Sequence, residues 1–348
     1  MRRLAFAAAV LVLTAGPLHA QERDSFRIAW SIYVGWMPWG WAADEGIVDK
    51  WAETYGIDIE VVQINDYIES INQYTAGAFD GCVMTNMDAL TIPAVGGVDS
   101  TALIVGDFSN GNDGIVSKTA TDVAALEGER VNLVELSVSH YLLARALEEN
   151  GLAERDLTVV NTSDADMVSV FTSTDDVEHV VTWNPLLAEV AAYPDATKLF
   201  DSSQIPGEII DMMVVDTEVL AANPDFGKAL VGAWYETMAI MAGDDAAGRA
   251  ARAAMGEASG TDLAGYEAQL ASTRMFYDPA DAVAFTRSPD LVETMDSVRQ
   301  FSDRHGLLQG GLDFVGIAFP DGTVLGNAGN VNLRFTDGYM QMAADDAL

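Results

Sequence analysis

The chain has 348 residues, with 53 acidic and 18 basic side chains and a formal net charge of -35. A charge of this sign and size argues against nucleic acids and anionic membrane surfaces as partners. The length is sufficient for two domains with their own cores, and the single cysteine, Cys82, excludes an intramolecular disulfide.

The first twenty residues have the organisation of a cleavable secretory signal. Arg2 and Arg3 form a charged start, residues 4–15 an apolar core, and residues 18–20 a plausible cleavage end. The apolar core is too short to span a bilayer permanently, and no other window approaches a membrane span. We therefore predict a protein exported from the cytoplasm whose mature chain starts near Gln21 and carries a net charge of -37.

Strands and helices alternate through the next part of the chain. Asp66 is a suitable N-cap, and Gly46 and Gly77 suit left-handed helix ends. Cys82 lies in a short apolar run and is expected to be buried and inert. The pattern predicts strands over 26–30, 57–63, 81–84 and 102–105, and helices over 38–54, over 67–76 and after Asp88.

The polar, glycine-rich segment 106–114 is predicted to be a loop that crosses between two lobes. It is not a GxGxxG motif, so a dinucleotide site is a poor interpretation. A second alternating block follows, and residues 208–215 form a candidate strand for the return crossing. The block contains predicted strands over 115–117, 130–134, 157–161 and 179–182, and helices over 138–150, 164–172 and from Pro185.

After the return crossing the pattern is helical as far as His305, and the last forty residues are irregular with short strands over 312–317 and 331–335. Alternation with short connections predicts two doubly wound, mostly parallel sheets. The predicted fold class is α/β, with two lobes joined by a two-strand hinge and a helical C-terminal part. The first lobe comprises 21–110 and 214–348, and the second comprises 111–213.

Four of the seven tryptophans lie within residues 30–41, at a predicted strand–loop–helix junction. In open α/β sheets, ligands bind at the carboxyl ends of the strands. Indole rings provide flat apolar walls whose faces attract cations. Core packing is the alternative for each tryptophan, and Trp36 and Trp39, in the loop, are the ones expected to face a ligand.

Several local motifs occur in a fixed order along nearly the whole mature chain. They lie at 42–48 (Ala-Ala-Asp-Glu-Gly-Ile-Val), 56–61, 74–81, 126–131, 139–143 and 183–185 (Trp-Asn-Pro). Together they resemble the periplasmic substrate-binding proteins of ABC importers, in the group that takes sulfonates, taurine, nitrate and thiamine-type pyrimidines. Within that group, the segments 30–39, 85–88, 106–111 and 182–185 resemble the branch that accompanies urea carboxylase genes.

This resemblance implies a type II two-lobe fold that closes on a small nitrogen-rich solute, urea or guanidine, and delivers it to an ABC permease in the inner membrane. It also implies a periplasmic, non-catalytic protein without a cofactor, and we expect a monomer. The histidines are scattered, with no HExxH or other zinc spacing, so no metal site is predicted.

The ends of four predicted strands aim polar and aromatic side chains at one crevice between the lobes. We predict that these side chains bind the ligand. They are Tyr33, Trp36, Trp39, Thr85, Asn86, Asp88, Asp107, Ser109, Glu135, Ser137, Ser139 and Trp183.

Anion-binding members of the resembled group hold sulfonate at a bare helix N-terminus, where N–H groups and the helix dipole favour negative charge. Here Glu135 would place a carboxylate beside that helix start and repel an anion. Asp88, Asp107 and Glu135, with indole walls, suit a guanidinium ion, whereas urea would also require the donors of Asn86 and the serines.

Structural roles are open alternatives, since Asp88 suits a helix cap, Asp107 a turn and Glu135 an exposed position. Another small organic solute, of the taurine or pyrimidine type, is an alternative ligand, and a ligand-loaded partner for a membrane sensor is an alternative role. A secreted carboxylate-dependent hydrolase is the competing class of protein, although no GxSxG motif or Cys–His pair supports it.

Overall fold

The structure is a computed structural model that describes residues 23–348, so the predicted signal lies outside the described residues. The strands are β1 (Ser25–Trp30), β2 (Asp58–Gln63), β3 (Gly81–Thr85), β4 (Ser100–Ser109), β5 (Asp113–Ser117), β6 (Arg130–Leu133), β7 (Thr158–Asn161), β8 (His179–Trp183), β9 (Thr197–Asp201), β10 (Ile210–Asp216), β11 (Thr273–Met275), β12 (Gly316–Ala318), β13 (Val324–Gly326) and β14 (Val331–Phe335).

The α-helices are α1 (Met37–Asp44), α2 (Ile47–Tyr55), α3 (Tyr67–Thr75), α4 (Asn86–Ala89), α5 (Val138–Glu149), α6 (Asp164–Ser173), α7 (Leu186–Ala191), α8 (Thr217–Ala222), α9 (Pro224–Met241), α10 (Ala246–Ala258), α11 (Leu263–Leu270), α12 (Pro279–Thr286), α13 (Pro289–Arg304) and α14 (Gly338–Ala344). None of the helices in this range is long and apolar enough to cross a membrane.

Two sheets form the two lobes. The first has the order β13-β12-β14-β4-β10-β3-β1-β2, with β11 paired to β4, and the second has the order β7-β6-β8-β5-β9. Both are mixed rather than mostly parallel, because β10 runs antiparallel to β3 and β4, and β5 runs antiparallel to β8 and β9. Of these strands, β4 and β5 flank the first crossing between the lobes, and β9 and β10 flank the return crossing.

The first crossing is shorter than the predicted loop over 106–114. Strand β4 continues to Ser109 and β5 begins at Asp113, which leaves only three residues outside a strand. The segment is polar although it is mostly buried, since Asn110 is its only exposed residue. The return crossing enters the first sheet at Ile210, so the second lobe is one continuous segment of chain.

Local signals explain most of the element boundaries near the first tryptophans. The Asp66 side chain accepts a hydrogen bond from the Glu69 amide at 2.9 Å and caps α3, as predicted. The single helix predicted over 38–54 is wrong: it divides into α1 and α2 at Gly46, which has a φ of 70°. Glycine adopts this left-handed conformation without the steric cost that a side chain would add.

The core of the first lobe lies between its sheet and helices α1, α2 and α9. Phe26 stacks on Phe226 with ring centroids 4.5 Å apart, and Trp39 stacks on Trp234 at 5.1 Å. Cys82 is completely buried, as expected. This packing fixes α1 and the turn before it, so the tryptophans of that turn are held rigidly at the edge of the sheet.

Candidate functional site

A small cavity of about 10 Å³ lies between the two lobes. Residues of both lobes and of the return crossing surround it. They are Tyr33, Trp36, Tyr67 and Thr85 from the first lobe, Asp113, Val138 and Trp183 from the second, and Ile209 and Asp211 from the crossing. We call this space the chamber. A second cavity of about 10 Å³ adjoins it, shares Trp36 and Asp211, and is also lined by Trp39, Asp107 and Trp234.

Aromatic rings form the walls of the chamber. The Trp36 ring lies between Tyr33 and Tyr67, with centroid distances of 4.9 and 5.5 Å. Trp183 of the second lobe meets the Tyr67 ring at 5.7 Å, so the two lobes touch through aromatic contact. The indole Nε1 of Trp36 is buried and has no hydrogen-bond partner. The walls therefore offer π faces and one free N–H donor.

Three carboxylates meet at the hinge beside these rings. Asp107 on β4 and Asp211 on β10 are paired opposite each other, and Asp113 begins β5. Their side chains are 0%, 2% and 3% exposed. The Tyr33 hydroxyl donates to Oδ1 of Asp107 at 3.2 Å, and the Oδ2 atoms of Asp107 and Asp211 have no partner. Buried acceptors without partners are costly, so this cluster is suited to receive donors from a ligand.

The electrostatics of the cluster follow from burial. Removal from water raises the pKa of Asp107 and of Asp113 to about 7 each, and raises the pKa of Asp211 well above its usual range. Repulsion from Asp107 and Asp113 adds to the burial effect on Asp211. Among residues 23–348, no lysine, arginine or histidine lines the chamber. Burial therefore favours the protonated forms of these carboxyls, and a bound cation would favour their charged forms.

A fourth carboxylate belongs to Asp88 of α4, and it faces the start of α5. It is completely buried, and it accepts hydrogen bonds from the Tyr67 hydroxyl at 2.6 Å and from Thr85 Oγ1 at 2.8 Å. Burial raises its pKa to about 6, although these two hydroxyls and the amide of Val138 favour its charged form. Oδ1 of Asp88 has no hydrogen-bond partner among residues 23–348. The positive end of α5 thus faces a carboxylate of this same chain.

Glu135 lies elsewhere than we expected. It is exposed at the outer mouth of the cleft, near Asp66, Glu69 and Asp164, and it does not line the chamber. The physical reason is the turn that precedes α5, in which Leu136 has a φ of 63°. This left-handed residue turns Glu135 outward, so the carboxylate beside the helix start is Asp88 and not Glu135.

The predicted serines and Asn86 have different environments. Ser137 caps α5, since its hydroxyl accepts from the Ser139 amide at 3.2 Å, while the buried Ser139 hydroxyl has no partner. Ser109 bonds to Ser202 at 2.6 Å, which ties the two crossings together. Asn86 accepts from the Ile210 amide at 3.1 Å and therefore positions the return strand.

Of the twelve predicted site residues, Tyr33, Trp36, Thr85 and Trp183 line the chamber, and Trp39 and Asp107 line the adjoining space. Sequence reasoning missed Tyr67, Asp113 and Asp211. A signal existed for Asp211, because it is the only charged residue in the otherwise apolar run 209–215. Asp113 was hidden in the segment interpreted as a loop.

The stability of the ligand-free protein should fall as the pH rises. The folded protein holds Asp107 and Asp113 with a pKa near 7, above the unfolded value of about 3.9. Their stabilising effect is therefore fully present below pH 4 and is lost as the pH rises through 7, by about 2–4 kcal/mol for each group. Calorimetric unfolding between pH 5 and 8 should show a decreasing Tm.

The matched comparison for this trend is Asp113→Asn against Glu218→Gln, which removes an exposed carboxylate of α8 far from the chamber. The asparagine variant should have the flatter dependence of Tm on pH, and the glutamine variant should follow the wild type. A wild-type Tm that rises from pH 5 to 8 would contradict the assignment of protons to this cluster.

Comparisons with known proteins agree with this architecture. The model of the family described as NMT1/THI5 like matches residues 51–246. No curated protein matches the chain.

Solved structures with the same fold include two sulfonate-binding proteins named SsuA. The alkanesulfonate-binding protein from Xanthomonas axonopodis pv. citri, bound to MOPS, has a TM-score of 0.66 and 17% identity, over 83% of this chain and 96% of that one. The periplasmic aliphatic sulphonate-binding protein from Escherichia coli has a TM-score of 0.66 and 16% identity, over 82% and 89%.

The periplasmic nitrate-binding protein NrtA from Synechocystis PCC 6803 is also similar, with a TM-score of 0.58 and 14% identity, over 94% of this chain and 99% of that one. At these identities the likeness shows the fold alone, and it confirms the predicted two-lobe α/β class. Because the family match covers more than half of its residues, the chain belongs to the NMT1/THI5-like family.

Proposed function

We propose that the protein is the periplasmic solute-binding component of an ABC importer and that it closes its lobes on a small nitrogen-rich solute of the guanidine or urea type. The observation that carries this proposal is the set of buried carboxylates among aromatic rings, with no basic side chain in the chamber lining. The solute would then be passed unchanged to a membrane permease.

Guanidinium matches the donors and acceptors of the chamber. Its planar N–H groups can donate in pairs to carboxylates, and such charge-assisted bonds are about twice as strong as neutral ones. The free Oδ2 atoms of Asp107 and Asp211 are the acceptors that it would satisfy. Its flat face can also lie on the Trp36 or Trp183 ring, which contributes on the order of 1–2 kcal/mol when water is excluded.

Urea is the neutral alternative within the same proposal. Its carbonyl oxygen needs donors, and the buried Nε1 of Trp36 and hydroxyl of Ser139 have no partner in the described part of the chain. Urea would not compensate the carboxylates by charge, so the acids would have to keep their protons. We therefore favour the cation.

A sulfonate or taurine-type anion is the competing ligand class, and the similar SsuA structures are the reason to test it. The position of Asp88 argues against it, because a carboxylate already faces the start of α5. An anion in the chamber would also meet Asp113 and Asp211. The repulsion from these buried groups would oppose binding unless all of them were protonated.

A carboxylate-dependent hydrolase is less compatible with the site. A glycosidase places its two acids about 5–9.5 Å apart on either side of the scissile bond. Here Asp107 and Asp211 are paired residues of two neighbouring, hydrogen-bonded strands, so no sugar ring fits between them. We therefore propose binding without chemistry.

Isothermal titration calorimetry at pH 7.5 with guanidinium, urea, acetamidine, taurine and nitrate tests the proposal. We expect the tightest binding for guanidinium or acetamidine, measurable binding for urea at most, and none for the two anions. Taurine binding tighter than every nitrogenous solute would overturn the proposal, as would chemical conversion of any bound compound detected by mass spectrometry.

A further inference from the structure

A second cluster of titratable groups lies outside the chamber, where the two lobes touch. His140 on α5 and Glu154, in the short 3-10 turn Glu154–Asp156, belong to the second lobe. His305 directly follows α13, which packs against α4 of the first lobe. The rings of Tyr141 and Phe301 lie 5.2 Å apart beside the cluster and join α5 to α13. We call His140, Glu154 and His305 the histidine latch.

The carboxylate of Glu154 is shared between the two histidines. Its Oε1 lies 2.5 Å from Nε2 of His140, in a close contact that is not aligned as a hydrogen bond, and its Oε2 is hydrogen-bonded to Nε2 of His305. The side chains of His140, His305 and Glu154 are 6%, 15% and 28% exposed. The contact between Glu154 and His305 therefore crosses from one lobe to the other in a largely water-excluded place.

The hydrogen bonds determine where the protons are. Nδ1 of His305 lies 2.8 Å from the Phe301 carbonyl oxygen, which can only accept, so this nitrogen must carry a proton. Nε2 of His305 faces the Glu154 carboxylate and must also donate. Both ring nitrogens of His305 are therefore protonated in the closed arrangement, and the ring is an imidazolium ion.

In His140, the nitrogen that does not face Glu154 accepts a hydrogen bond instead of donating one. Its Nδ1 accepts a hydrogen bond from the Leu136 amide at 3.0 Å, so a neutral ring carries its proton on Nε2, toward Glu154. A metal ion at Nε2 would move that proton to Nδ1, where it would face the Leu136 N–H. The three side chains lie close enough to surround an ion, but this backbone donor favours a proton over a metal.

We propose that the histidine latch is a proton-dependent contact that stabilises the closed arrangement of the lobes through the ion pair between Glu154 and His305. Opening the cleft separates this pair and leaves His305 in water. The closed form then binds one proton more than the open form near neutral pH, and acidification favours closure. This inference is independent of which solute occupies the chamber.

The groups around His305 shift its pKa in both directions, and the largest effect, the hydrogen bond to Glu154, raises it while burial lowers it. The nearby Arg304 also lowers the pKa of His305. Burial alone would raise the pKa of Glu154, but its contacts with His140 and His305 lower it to about 2. The stabilisation of the closed form by His305 is therefore complete below its open-form pKa of about 6.5 and is lost as the pH rises through the higher closed-form value.

Pulsed electron paramagnetic resonance on the ligand-free, full-length protein tests the latch. Spin labels on Asn72→Cys and Asp166→Cys, exposed positions of α3 and α6 on opposite lobes, report the distance across the cleft. The native Cys82 is completely buried and will not compete for the label. We expect the ratio of closed to open molecules to rise about 3- to 10-fold from pH 8 to pH 5.5.

The matched variant is His305→Gln, which can still donate to Glu154 but does not titrate. Its closed-to-open ratio should change less with pH than that of the wild type, although Asp107 and Asp113, buried between the lobes, still titrate in this range. A ratio that changes equally in wild type and variant, or that does not change in the wild type, overturns the proposal.

Nitrogen-15 NMR of the histidine rings gives a second, independent measurement. At pH 7 we expect His305 with both nitrogens protonated. A neutral His305 ring at pH 7 overturns the proposal. So does a stoichiometric shift of the His140 and His305 signals on addition of zinc, because it would identify a metal site.

Discussion

Replacing Asp211 by asparagine should weaken the binding of guanidinium by about 100-fold or more. The substitution keeps the size of the side chain but removes a buried charge partner, and the loss of one member of a buried ion pair costs about 3–5 kcal/mol. Asp113→Asn should have an effect of the same direction. Titration calorimetry at pH 7.5, with circular dichroism to confirm folding, measures the change.

Glu218→Gln is the control, since it removes an equal charge from an exposed helix of the first lobe. Its affinity for guanidinium should stay within about twofold of the wild type, because exposed charges beyond roughly 8 Å are largely screened at physiological salt. If Asp211→Asn and Glu218→Gln bind guanidinium equally well, the carboxylates of the chamber are not the cation site.

Binding of guanidinium should release protons, whereas binding of urea should release none. Burial raises the pKa of Asp107 and of Asp113 to about 7, and a bound cation lowers both by favouring the charged carboxylates. The affinity for guanidinium should therefore increase as the pH rises from 5.5 to 8, by as much as about tenfold per pH unit for each proton displaced.

Calorimetry at pH 6.5 in two buffers with different ionisation enthalpies counts the released protons directly. Because the histidine latch responds to pH in the opposite direction, the measurement is best repeated in the His305→Gln background. Proton uptake on guanidinium binding in that variant, or an affinity that falls as the pH rises, would contradict the cation site while leaving the latch unaffected.

Much of the fold was predictable because strong local signals agreed with one another. Alternating strands and helices, the cap at Asp66 and the glycine at position 77 define β1 to β3 and α3 within a residue or two. The loop predicted over 106–114 is wrong because a polar segment is normally interpreted as exposed to solvent. Its aspartates point inward at a hinge, and one sequence alone does not distinguish a buried acid from a solvated one.

The site was predictable at its aromatic walls and less so at its acids. Trp36 follows β1, and Trp183 is the last residue of β8. Both are therefore located by the rule that ligands bind at the carboxyl ends of strands in open α/β sheets. The carboxylate beside the start of α5 is that of Asp88 and not that of Glu135, and this difference depends on the left-handed conformation of Leu136. Leucine rarely adopts that conformation, so its sequence neighbourhood carries no signal for it.

Strands β4 and β10, which carry the chain into and out of the second lobe, are hydrogen-bonded neighbours in the first sheet, with Phe108 paired to Ile210. The second lobe is therefore inserted between two neighbouring strands of the first lobe, whose sheet continues across the point of insertion. Removing the second lobe would leave the ends of β4 and β10 about 5 Å apart, a distance that a two-residue hairpin turn can connect. The larger half of the molecule is consequently a candidate for a minimal scaffold that keeps Tyr33, Trp36, Asp107 and Asp211 on a single chain.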